Sequence, residues 1–159
     1  MKRLTSALLC LFVFFTAFGA AAQDAGATLL TVTNGDEVTE YDLQALEALG
    51  ATTFETTTIW TEGMQSFTGV PLATIAAALG IEGGVFVASA INDYAVEVPV
   101  PQSAEGGPII AYRNNGALMS VRDKGPLWIV YPYDSTPDYQ SELIYSRSIW
   151  QLDRIEMKN

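Results

Sequence analysis

Four basic side chains fall between Gln23 and Arg147, and three of them, Arg113, Arg122 and Lys124, lie in one stretch, Pro108–Pro132. Guanidinium and ammonium groups pooled late in an acidic chain mark a pocket for an anion or a polar ligand. The plainer reading is that the acidity serves solubility and the basic groups are a solvated face. The chain's absences narrow the chemistry further. It has no histidine, and Cys10 is its only cysteine. Histidine is the commonest general base and metal ligand, and thiolate is the soft ligand and nucleophile. These absences argue against hydrolases of the triad type and against zinc or copper centres.

Cys10 itself falls in a leader. Lys2 and Arg3 precede an apolar run from Ala7 to Phe18, and Ala20-Ala21-Ala22 fits a small-residue cleavage site. This pattern predicts a signal peptide over 1–22, export to the periplasm, and one domain over 23–159. A retained anchor is the competing reading, but the run is short for a membrane span. After residue 22 there are six basic and 18 acidic residues, a net charge of −12. No basic residue occurs between Gln23 and Tyr112. Nucleic acid and anionic membrane surfaces are poor partners for such a chain.

The elements that must position the late basic residues surround them. Ile109–Tyr112 and Leu127–Tyr131 read as buried strands, with Ala117–Val121 as a third extended run between them. Asn114-Asn115-Gly116 supplies turn residues that tolerate positive φ. Upstream, Thr28–Thr33 predicts a strand, Asn34-Gly35 a turn, and Val38–Tyr41 a strand pairing back. Asp42 predicts a helix N-cap and Gly50 the helix end. Ala51–Thr61, rich in Thr, predicts a strand. In Phe67–Gly80, Pro71 suits the first turn of a helix whose stripe is Leu72, Ile75, Ala76 and Leu79. Val85–Ala90 predicts a buried strand, Asn92-Asp93 a turn, and Tyr94–Pro99 an alternating strand. Tyr133–Ser141 reads as a loop. Spacing leaves Glu142–Ser148 open between strand and short helix. Ile149, Leu152, Ile155 and Met157 predict core at the end of the chain. Many short strands with two helices give an α+β, mostly β domain.

Several of these segments carry a resemblance. Phe67-Thr68-Gly69-Val70-Pro71-Leu72, Ala90-Ile91-Asn92-Asp93-Tyr94, Ala111-Tyr112-Arg113-Asn114-Asn115-Gly116, Gly125-Pro126-Leu127 and Ile149-Trp150-Gln151-Leu152-Asp153-Arg154-Ile155-Glu156 occur in this order. The set is similar to the molybdopterin-binding domain of the sulfite oxidase family, and implies that fold. The departure is as telling. In those enzymes a cysteine shortly before the Gly-Val-Pro-Leu element binds molybdenum. Here Phe54–Phe67 holds Thr56, Thr57, Thr58 and Trp60, and a threonine hydroxyl is a far poorer ligand for that metal. The enzymes' substrate-facing arginines also have no clear equivalent. The expectation is a cavity without the oxidoreductase chemistry: no molybdenum, no tightly bound cofactor, and a pterin as ligand.

A pterin is a flat polar bicycle that wants a stacking plane and a carboxylate or amide for its edge. Near the matching segments the sequence offers Trp60, Asn92, Asp93, Tyr94, Arg113, Arg147 and Trp150. Each has a plainer role. Trp60 and Trp150 also suit a core, Asn92-Asp93 a simple turn, Tyr94 half-buried packing, and Arg113 a solvated face. Arg147, just before Ile149-Trp150, is the favoured basic residue. The chain further resembles exported, cysteine-less proteins of this fold that bind reduced pterins and signal through the periplasmic part of a membrane protein. That resemblance implies a non-catalytic relay to a cyclic di-GMP enzyme or a kinase. The alternatives are a molybdenum-cofactor enzyme with another ligand, and an interaction module whose cavity is filled.

Overall fold

The computed structural model describes residues 26–158. The expected leader, Cys10 with it, lies outside those residues. Strand β1 (Leu30–Asn34) buries Leu30 and Val32 and turns at Gly35, where φ is +61°, into the antiparallel β2 (Glu37–Tyr41). Glycine takes that left-handed conformation without steric cost. Helix α1 (Leu43–Ala48) starts where the Asp42 carboxylate accepts from the Ala45 N–H at 2.7 Å, and it buries Leu46. Then come β3 (Thr52–Thr56) and β4 (Gln65–Pro71), followed directly by α2 (Leu72–Ala78). Pro71 is the last residue of a strand and the cap of the helix, not part of its first turn.

The second half of the chain closes both sheets. Strands β5 (Val85–Ala90) and β6 (Ala95–Pro99) form a hairpin. Strand β7 (Ile109–Asn114) turns through Asn115 and Gly116, both at positive φ, into β8 (Ala117–Leu118). Strand β9 (Trp128–Val130), helix α3 (Glu142–Arg147) and β10 (Leu152–Lys158) complete the set. One sheet has the order β2-β1-β10-β5-β6; the other has β3-β4-β7-β8, with β9 also on β7. The last strand thus inserts mid-sheet, parallel to β1 and antiparallel to β5. The α+β, mostly β class with short helices is the one observed.

Three predicted elements are redrawn. The Thr-rich strand stops at Thr56, because Asp134 captures the next backbone donor: Thr57 N–H and Oγ1–H donate to its carboxylate at 2.6 and 2.8 Å. The run Ala117–Val121 keeps only two strand residues. Ser120 then accepts from Asp123 N–H at 3.3 Å and caps a 3₁₀ turn over Val121–Asp123. The Tyr133–Ser141 loop is two 3₁₀ turns, and Glu142–Ser148 resolves as a helix. The core is rich in large side chains, with Trp128, Tyr112, Tyr133, Phe67 and Phe86 fully buried.

Candidate functional site

Of the basic residues clustered in the sequence, Arg122 and Lys124 share one hollow and Arg113 is paired outside it. Arg113 on β7 pairs with Glu47 of α1 at 3.0 Å. Lys124 lies over the Trp128 ring, 5.7 Å from its centroid. The charge of Arg147 favours the ionised form of the Tyr131 phenol, against the larger effect of burial, and its buried Nε has no hydrogen-bond partner among the described residues. None of these three lines the cavity that gathers the other candidates.

That cavity has a volume of about 540 Å³, within the range of small-molecule sites. Trp60, Asn92, Tyr94 and Trp150 line it. Trp60 is placed by its own loop: Thr58 Oγ1 accepts from the Trp60 N–H at 3.1 Å and pairs with Thr61 Oγ1 at 2.7 Å. Its ring then meets Trp128, Tyr145 and Trp150 with centroids 5.8 Å apart, and Tyr133 at 6.1 Å, all edge to face. Such pairs contribute about 0.5–1.5 kcal/mol each beyond area burial, so the ring is held from several sides.

Trp150 is fixed by backbone on either side. It bridges Trp128; Ile149 C=O accepts from Ile129 N–H at 2.9 Å, and Leu152 N–H donates to Leu127 C=O at 3.0 Å. Gln151 sits at φ +54° and ties three segments together. Its N–H donates to Lys124 C=O at 3.0 Å, its Nε2 to Val121 C=O at 2.8 Å, and its carbonyl accepts from Ile91 N–H at 3.0 Å. Trp150 remains 39% exposed, so one part of its ring is open to the cavity.

The hairpin tip of β5 and β6 forms the facing wall. Asn92 Oδ1 accepts from Tyr94 N–H at 3.2 Å, and Ala90 and Tyr94 close the turn at 2.9 Å. Asp93, at φ 66°, points its carboxylate to Arg154 at 2.5 Å and does not line the cavity. Tyr94 is 56% exposed, on the rim, where half-buried packing was the plainer expectation. Ile59, 62% exposed, stands beside it on the lining.

Helix α3 supplies the rest of the wall through Glu142, Tyr145 and Ser146. Residues three and four apart share a helix face, which puts these together. Spacing alone could not show it, since the segment's conformation was open. Ser148, buried at the helix end, accepts from Tyr133 Oη at 2.6 Å and donates to Ile144 C=O at 2.9 Å. Burial pushes the Tyr133 phenol well above its ordinary range, and pushes Tyr131 up to about 12.

The region of the missing cysteine offers molybdenum hydroxyls and no thiolate, a poor match for that metal. The hydroxyls in the region of the missing cysteine are engaged: Thr56 accepts from Asp134 N–H at 3.1 Å, and Thr57 and Thr58 are bonded as above. No group of three or more His, Cys, Asp or Glu able to hold a metal ion occurs among the described residues.

No protein-family model and no curated protein matches the chain. Among solved structures it is similar to the sulfane dehydrogenase SoxCD of Paracoccus pantotrophus, with a TM-score of 0.58 and 17% identity. The match covers 80% of this chain and 37% of that one. At this identity the likeness shows a shared fold, and the mostly β architecture of this chain is that fold.

Proposed function

We propose that this chain is an exported, non-catalytic pterin-binding domain whose ligand state is read by the periplasmic part of a membrane signalling protein, a cyclic di-GMP enzyme or a kinase. The observation that carries the reading is the cavity of about 540 Å³ walled by Trp60 and Trp150, with amides at its edge and no thiolate or imidazole. Trp60 and Trp150, packed edge to face, give an aromatic wall for one face of a flat bicycle, and Asn92 offers an amide to its edge. The hydroxyls of Thr56, Thr57 and Thr58 give molybdenum no anchor, so the ligand is the organic ring alone.

Thermal unfolding with added tetrahydromonapterin tests this. A ligand that binds only the folded state stabilises it by about 2.7 kcal/mol at a hundredfold excess over Kd. A rise in Tm that saturates supports the reading; no rise far above micromolar ligand contradicts it. Metal analysis of protein purified from the periplasm tests the redox alternative, which stoichiometric molybdenum would establish. The relay is tested by identifying the membrane proteins that co-purify with this chain, with and without the pterin; none carrying a periplasmic sensor region contradicts it.

A further inference from the structure

The cavity is aromatic and polar, but its charge has one sign. Glu142 is the one lining residue charged at neutral pH, and no lining residue is basic. The six basic residues of 23–159 are directed elsewhere. Arg113 is on Glu47, Arg154 on Asp93 and Asp153, and Lys158 on Glu97. Lys124 and Arg122 belong to a separate hollow beside Met119 and Asn114, and Arg147, whose charge acts on the Tyr131 phenol, does not line the cavity.

Three neutral donors of the wall are also engaged. Ser146 Oγ–H donates to Leu143 C=O at 2.7 Å, Ser148 Oγ–H to Ile144 C=O at 2.9 Å, and Gln151 Nε2 to Val121 C=O at 2.8 Å. A phosphate ester carries about −1.5 to −2 charges and three strong acceptor oxygens, which want guanidinium, ammonium or free N–H groups. Here it would meet a carboxylate, in a domain of net charge −12. The amino and lactam N–H groups of a pterin ring make the opposite demand, for an acceptor.

We propose that the cavity selects unphosphorylated pterins and rejects phosphorylated ones, and that Glu142 is the selecting residue. This rests on the pterin reading of the site. The ring lies against the aromatic wall that Trp60 and Trp150 form together, with Glu142 in the first turn of α3, on the face shared with Tyr145 and Ser146.

The test is calorimetric titration of the purified domain with tetrahydroneopterin and with tetrahydroneopterin monophosphate at low salt. The phosphate ester binds about tenfold or more weakly, the scale of one repulsive pair near a protein surface. The gap narrows when salt is raised, since exposed charges are screened. It narrows in Glu142→Gln and closes or reverses in Glu142→Lys. Glu142 is exposed, so both variants keep the fold, which circular dichroism checks. Equal binding of the two forms, or preference for the phosphate, overturns this proposal and leaves the pterin reading standing. A gap that persists in both variants and at high salt overturns the role of Glu142. Binding of neither form overturns the pterin reading and takes this one with it.

Discussion

The Ser148 hydroxyl accepts a hydrogen bond from Tyr133 Oη–H at 2.6 Å and donates one to Ile144 C=O at 2.9 Å, while its carbonyl accepts from Trp128 Nε1–H at 3.1 Å. Replacing it with alanine leaves a buried phenol without its acceptor. Ser148→Ala is expected to cost about 1–3 kcal/mol in urea unfolding and to loosen the ring cluster behind the cavity. Trp150→Ala removes one stacking plane at a partly exposed position, so the fold survives while pterin affinity falls about tenfold, as calorimetry would read it. Asp134 makes a pH prediction. The Thr57 backbone N–H, then the Thr57 hydroxyl, hold its carboxyl below the ordinary 3.8. A depressed folded-state pKa gives stability that is present above the unfolded value and lost as pH falls through the folded one. Unfolding midpoints of the wild type therefore fall below pH about 4, and Asp134→Asn shows a weaker dependence in that window. At this scale the sequence was readable for its aromatics and its turn: Trp60, Asn92, Tyr94 and Trp150 meet at one cavity. It did not show the pairing of the charged residues, because Arg113 and Asp93 have ion partners 66 and 61 positions away. Nothing local shows that Glu47 and Arg154 stand opposite them.

Strands β4 and β7 approach closely where their register shifts, between Thr68 and Gly69. A Cβ on Gly69 would lie 2.2 Å from Ile110 O, a clash with backbone that cannot swing aside. Gly69→Ala is expected to destabilise by about 1–3 kcal/mol in chemical denaturation, the range for forcing extra atoms into packed structure. The glycine of the Phe67–Leu72 segment is thus a packing requirement of the second sheet, independent of any ligand. Most strands were legible because one face is buried and the period of two survives, as with Leu30 and Val32 or the whole of Val85–Ala90. The Thr57–Met64 loop was not. Its shape is set by Asp134, 77 positions along, and threonine's β preference yields to that carboxylate. Helix α3 was undecidable for a related reason: it buries no residue fully, so its apolar pattern carries little signal.

Across the whole molecule, two properties follow from where the phenols and charges lie. Burial raises Tyr131 from the ordinary 10.0 to about 12 and raises Tyr133 as well. A raised folded-state pKa gives stability that is complete below pH 10 and drains as pH climbs toward the folded value. Unfolding free energy is expected to fall between pH about 10 and 12, and to fall less in Tyr131→Phe, as denaturation at stepped pH would show. The domain class and the order of the motifs were readable from the chain. The way the last strand enters between β1 and β5 was not, because parallel pairing of distant ends leaves no local mark. The central claim is that the cavity beside Trp60 and Trp150 grips a pterin ring. The chain has three tryptophans, so their indole N–H signals can be followed one by one in a ¹⁵N NMR titration with tetrahydromonapterin. The account predicts large, saturable shifts at Trp60 and Trp150 and a smaller one at buried Trp128 behind them. Unmoved indole signals at saturating pterin, or shifts confined to the separate hollow around Leu118 and Met119, would contradict it.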